Sequence, residues 1–202
     1  MKLYYMVGAC SLASLIALKE SGVEFETAAL DRNTRRTSDG LDFRQQVNSK
    51  GYVPALRLDD GQVLTENVAV LLYIADLNPA ARLAPAAGTL ERYRLIEWLA
   101  FISSEIHKNY SPLFSPAASE DTKQFMRGNL AKRLDWLNGA LGSTLLTGDT
   151  FTVADAYLFT VLGWSGKVGV DLAKWPNLKR FHAELASRPS VLAALKAEGL
   201  SK

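Results

Sequence analysis

The chain has 202 residues, enough to bury a core as one large domain or as two small ones. Its 48% hydrophobic and 22% charged residues are ordinary globular proportions, and a net charge of +2 is too mild to argue for a nucleic-acid partner. One cysteine, Cys10, rules out an internal disulfide framework and suits a reducing compartment.

Residues 6–18, "MVGACSLASLIAL", imitate the apolar core of an export signal, and "VGAC" hints at a lipoprotein box. Only Lys2 precedes them, and five residues are too few for a charged leader plus an apolar core. No other stretch approaches the ~18 apolar residues of a membrane span. The expectation is a cytoplasmic protein that binds neither membrane nor nucleic acid.

"KLYYM" reads as a strand, followed from Ser11 by a helix on Leu12, Leu15 and Ile16 that ends at Gly22. "EFETAAL" (24–30) is a second strand, "DRNTRRTSDG" a polar basic loop, and "LDFRQQVN" a short helix. "ALRLDDGQVLT" is a hairpin with Asp60-Gly61 in its turn, and "ENVAVLLYIADLNP" a helix stopped near Pro79. The order β-α-β-α-β-β-α mixes parallel and antiparallel pairing. "PAARLAPAAG" (79–88) is a connector, after which strand signals vanish. Helices fit residues 89–110, 119–141, 152–168, 177–187 and 190–197. Ser119 opens one of them, and Thr152 with Asp155 forms a capping box that specifies fold rather than chemistry. The expected architecture is a small α/β domain (1–80), a linker (81–88) and an all-helical domain (89–202).

Four places carry candidate chemistry. Cys10 stands at a strand–turn–helix junction, where disulfide oxidoreductases keep a Cys-x-x-Cys pair, but the fourth position is Ala13. Val53-Pro54 precedes the hairpin. It is either a trans proline in a loop, the commoner case, or a cis bond leaving the backbone groups of Val53 for an extended peptide. Glu66-Asn67 opens a helix, as a cap or as a receptor for a zwitterion. In "SSEIHKNY" (103–110), Ser103, Ser104, His107 and Lys108 lie within i+3/i+4 reach, as a solvated face or a polar functional patch. His182 is far down the chain, so a zinc site is not expected.

Tyr5, "GACSLAS", "VPAL", "DDG", "LTE", "RYRLIEWL", "EIHK", "FTVADAYLFTVL" and the final "RPSVLAALKAEGL" together resemble the bacterial β-class glutathione S-transferases, in order over nearly the whole chain. The resemblance implies a thioredoxin-like domain with a cis Pro54, an all-helical second domain, a homodimer and a detoxifying transferase. Glutathione would be a co-substrate, with no prosthetic group and no metal. It places Cys10 beside the glutathione sulfur, Val53 against the tripeptide backbone, Glu66 and Asn67 at its γ-glutamyl end, and Arg35 facing its glycyl carboxylate. Ser104, His107 and Lys108 would line the cleft, with Glu105 near the subunit boundary; Tyr5, Cys10 and His107 are the catalytic candidates. Asn67 stands where the family commonly has serine or glycine, and Ala100 where it often has asparagine.

Residues 31–50 hold five Arg/Lys against three Asp, a mildly positive rim for an anionic tripeptide. A helix start is expected to lower the Cys10 pKa toward neutrality. The leading activity is conjugation of glutathione to small, largely apolar electrophiles, with Tyr110, Phe114 and Trp164 available to hold them. The alternatives are thiol–disulfide exchange through Cys10 and a non-catalytic binder on the same scaffold.

Overall fold

The computed structural model describes residues 1–141 and 145–200. Its elements are β1 (Lys2–Tyr5), α1 (Ser11–Ser21), β2 (Glu26–Ala29), α2 (Phe43–Gln46), β3 (Ala55–Arg57), β4 (Val63–Thr65) and α3 (Asn67–Leu77), followed by α4 (Leu90–Phe101), α5 (Lys108–Tyr110), α6 (Glu120–Ala140), α7 (Val153–Leu162), α8 (Pro176–Ala186) and α9 (Pro189–Ala197). Two compact units divide the chain: Met1–Ala84 with the segment from Arg188 onward, and Pro85–Ser187.

The first unit is built on a four-stranded sheet in the order β2-β1-β3-β4. β1 runs parallel to β2, with Tyr5 opposite Ala29, and antiparallel to β3; β3 and β4 form the hairpin expected around Asp60-Gly61. This is the thioredoxin-like arrangement. One sheet face packs Tyr4, Ala28, Leu30, Phe43 and Ala55 into a core, with the Tyr4 and Phe43 rings edge-on at 6.1 Å. α1 is buried almost all round: Leu12, Leu15, Ile16 and Leu18, but also Ser11 and Ser14. A helix apolar on every side must be covered on every side. Here β1, α3 and α9 cover it, and Gly22 in the left-handed region (φ 69°) ends it.

That packing corrects the expected domain plan. The last helix, assigned by sequence to the domain spanning 89–202, belongs to the first unit, where Val191 and Ala194 are buried and Arg188 pairs with Glu20. Its amphipathic stripe shows that it packs, but nothing local shows against what.

The second unit is helical. α4 runs directly into a π-helical stretch, Ile102–His107, and then α5, where the sequence reads as one regular helix. A π turn bonds i to i+5 and so accommodates one extra residue, which shifts the faces of 103–110 from the expected i+3/i+4 spacing. The expected helix over 152–168 ends at Leu162; Gly163 and Gly166 interrupt it, and Ser165–Val168 is a separate 3₁₀ turn. α7 is buried along its whole length. Its N-terminus carries the capping box: Asp155, fully buried, accepts from Thr152 N–H and Oγ1 and from Leu146 N–H, each at 2.8 Å. α6 and α8 pack leucine and phenylalanine stripes (Leu130, Leu134 and Leu137; Leu178, Phe181 and Leu185). No helix among the described residues is long and apolar enough to cross a membrane.

Candidate functional site

In the first unit the sheet delivers Tyr5 to the end of β1, and a tight turn, Met6–Cys10, leads into α1. Ala9 N–H bonds Met6 C=O at 3.0 Å, Ser11 Oγ accepts from Met6 N–H at 3.1 Å, and Gly8 takes φ 70°, a conformation that glycine adopts without a Cβ penalty. Cys10 is thereby held as the first residue of the helix start, partly buried, with Sγ donating to Val53 C=O at 3.3 Å. The Val53–Pro54 bond is cis, as the resemblance implies.

The thiol is not activated in the expected direction. Burial pushes the Cys10 pKa up to about 12; the N–H groups of Cys10 and Ser11 pull it down, while the charges of Glu66 and Glu198 add to the rise. Removing a sulfur anion from water costs more than two helix-start amides return. Cys10 is therefore a thiol at neutral pH and acts as a donor. Burial, with Glu198 beside it, also raises the Tyr5 phenol, so this group is protonated as well.

Glu66 and Asn67 open α3. Glu66 adopts φ 70°, ψ 120°, a strained backbone for a non-glycine residue, and caps nothing with its side chain. Its carboxylate is exposed and bound by Lys50 at 2.5 Å. Asn67 is buried, and its Oδ1 accepts from Ser14 Oγ at 2.9 Å, so the bulkier residue is accommodated by a polar contact to α1. Arg35 also has positive φ (59°), and its guanidinium donates to Gly51 C=O. The structure thus joins Cys10 to Val53 directly, Glu66 to Lys50 and Asn67 to Ser14. Lys50, Ser14 and Glu198 were not singled out from sequence. The first two need tertiary pairing to be noticed, and Glu198 lies 190 residues from its partner Gly8.

In the second unit His107 lies partly buried in a ring cluster. Its Nδ1 is 2.7 Å from Tyr157 Oη, and the Trp164 ring packs on it at 4.9 Å. Trp164 is itself edge-packed by Tyr110 and Phe114 at 5.7 and 5.8 Å. Burial, with Lys108 adding to it, lowers the His107 pKa to about 4, so the imidazole is neutral at physiological pH. Tyr110 is raised to about 12 by burial against the opposing effect of its 2.6 Å bond to Ser165. Glu105 is held by Arg133 at 2.6 Å, and Ser104 and Lys108 are exposed. Of the expected patch, His107 joins an aromatic cluster, Glu105 pairs with α6, and Ser104 and Lys108 are exposed. Among the described residues no group of three His, Cys, Asp or Glu side chains is placed to hold a metal ion.

Comparison with known proteins follows this geometry closely. The family models "Glutathione S-transferase, N-terminal domain" and "Glutathione S-transferase, C-terminal domain" match residues 1–76 and 101–189. Glutathione S-transferase GstA of Escherichia coli O157:H7 is 46% identical over 201 residues, covering 99% of this chain and all of that protein. A sphingomonad glutathione S-transferase solved with glutathione superposes with a TM-score of 0.96 at 50% identity over the full length of both chains. The bacterial β-class enzyme of Sphingomonas chungbukensis matches with the same score, identity and coverage. With the thiol turn, the cis proline and the helical unit in place, the chain belongs to the glutathione S-transferase family.

Proposed function

We propose that this chain binds reduced glutathione on the first unit and transfers it to small, largely apolar electrophiles. The observation that carries the reading is the contact between Cys10 Sγ and Val53 C=O, which sets a thiol donor against the backbone edge where an extended tripeptide would pair. The strained Glu66 supports it, because backbone outliers concentrate at ligand sites. In this reading Val53 aligns the tripeptide, Glu66 meets its ammonium, Asn67 and the α3 N-terminus meet its carboxylate, and Arg35 faces its glycyl end. Bound glutathione releases its thiol proton to solvent, its sulfur anion attacks the electrophilic carbon, a C–S bond forms, and the leaving group departs with its electron pair. Cys10 and Tyr5, both protonated, donate hydrogen bonds to that anion. On the helical unit Phe114 is the exposed ring that suits an apolar ligand, with Trp164 and the fully buried Tyr110 packed behind it.

The protonated state of Cys10 favours conjugation over exchange, because exchange needs the enzyme's own thiolate. A rate assay with an activated aryl halide, with and without glutathione, tests the reading. Glutathione-dependent product supports it, and no rate above the uncatalysed one overturns it. The expected setting is cytoplasmic, in a detoxifying role.

The oligomer we propose is a homodimer. On the helical unit Trp98, Phe101 and Trp136 form an aromatic cluster around a cleft of about 510 Å³, with Trp136 55% exposed and the Arg94–Glu97 pair at its rim. An exposed apolar face edged by both charge signs suits a second copy, since two-fold packing can bring each Arg94 to the other's Glu97. Sedimentation at micromolar concentration should show a dimer; monomer alone overturns it.

A further inference from the structure

The first unit contains a carboxylate that the reaction described above does not use. Glu198 follows α9 and is only 5% exposed, and its Oε2 accepts from Gly8 N–H at 2.7 Å. Gly8 is two residues before Cys10, at the point where the turn needs its left-handed φ. Carboxylates are rarely buried without a reason, since desolvation opposes it. The rest of α9 is built to deliver this one. At its start, Arg188 clamps Glu20 on α1 through two bonds, at 2.5 and 3.0 Å. Along its length, Val191 and Ala194 are buried where α9 packs on α1. Nine helical residues rise about 14 Å, which carries the chain from Glu20 on α1 to the turn that precedes Cys10.

We propose that Glu198 is a positioning residue of the thiol turn, fixing through Gly8 N–H the backbone that presents Cys10 and opposing a negative charge there. The consequence is chemical. Glu66 before α3 and Glu198 after α9 are the two carboxylates whose charges act on the thiol; Lys50 is bonded to Glu66, and Glu198 acts on the Tyr5 phenol as well. Two carboxylates thus act on Cys10, Glu66 first and Glu198 after it, and Glu198 alone also bonds the turn's backbone through Gly8 N–H. Glu198 thereby helps keep Cys10 a proton donor and so selects conjugation over exchange. This rests on the glutathione-transferase reading.

Two variants separate the roles. In Glu198→Gln an amide oxygen keeps accepting from Gly8 while the charge is gone; in Glu198→Ala both are lost. Alkylation of Cys10 by iodoacetamide, followed by intact mass across a pH series, should be about threefold to tenfold faster at pH 8 in both variants, since each pK unit is tenfold in thiolate well below the pKa. The KM for glutathione should rise several-fold in Glu198→Ala and stay near wild type in Glu198→Gln. Wild-type alkylation rates in Glu198→Gln overturn the electrostatic role, and an unchanged KM in folded Glu198→Ala overturns the positioning role. If Glu198→Ala does not fold, the alkylation profile of Glu198→Gln still decides. Alkylation needs no glutathione, so a wild type that fails to conjugate would sink the proposed function and leave this measurement standing.

Discussion

The two units use polar side chains in opposite ways. In the helical unit they are turned inward and matched: Asp155 to three donors, Tyr110 to Ser165, Trp175 to Asp135, Asn138 to the start of α8. In the sheet unit, beside the buried Glu198 and Asn67, three groups around the thiol turn are exposed or only partly engaged: Glu66 with a single lysine, Arg35 with one carbonyl, Cys10 with one long sulfur contact. Buried, satisfied groups fix a structure; exposed or shared ones remain available to a ligand. Polar substitutions in the helical unit should therefore be felt as stability, and those around the thiol turn as binding or rate.

The severest test of that division is Asp155→Ala. It leaves the N–H groups of Thr152 and Leu146 buried without an acceptor, and should cost about 3–5 kcal/mol. Urea unfolding would measure it, and the Michaelis constant for glutathione should be unchanged wherever the variant is folded. A change in binding larger than the change in stability would break the comparison.

Next comes pH. The pKa of His107 is lowered from 6.5 to about 4 by burial, so the unfolded chain binds a proton more readily than the folded one between those values. Stability is complete above about 6.5 and falls as pH drops through the window, by on the order of 3 kcal/mol. Melting temperature against pH should show the slope, and His107→Gln should flatten it. A residual slope is expected from His182, lowered in the same direction by burial. An identical slope in the variant would remove His107 as the cause.

Around the thiol turn the effects are expected on ligands. Glu66→Gln should weaken glutathione about tenfold by calorimetry with little change in melting temperature, because its carboxylate is exposed. Unchanged affinity would reduce Glu66 to a partner of Lys50. The smallest effect is Cys10→Ala. Losing one neutral donor should slow conjugation about fivefold, while disulfide exchange, assayed with oxidised glutathione, disappears. Equal loss of both would make Cys10 an obligatory catalyst.

Much of this was legible in the sequence because it is local. The hairpin at Asp60-Gly61, the Gly22 stop, the capping box and the change from alternating elements to helices all depend on neighbours a few residues apart. The ordered motifs implied that Cys10, Val53 and Glu66 share a site, and the contact between Cys10 and Val53 is the part the structure shows. What escaped depends on distance or burial. A π turn adds one residue without altering composition, so 103–110 reads as regular helix. The direction of the Cys10 shift was missed because the helix start is visible in sequence and the desolvation opposing it is not. Asn67 looked like a bulky departure until Ser14, on another helix, took its carbonyl.

The return of α9 to the first unit also sets an order of assembly. A chain leaving the ribosome presents β1, α1 and the whole sheet early, yet the face of α1 that Val191 and Ala194 cover stays open until the helical unit has been synthesised. Any nascent or truncated product that stops before Arg188 carries that apolar face uncovered, a surface for chaperones or for aggregation. The thiol turn is thus made well before it is finished, because Cys10 reaches its final setting only once α9 and Glu198 have followed.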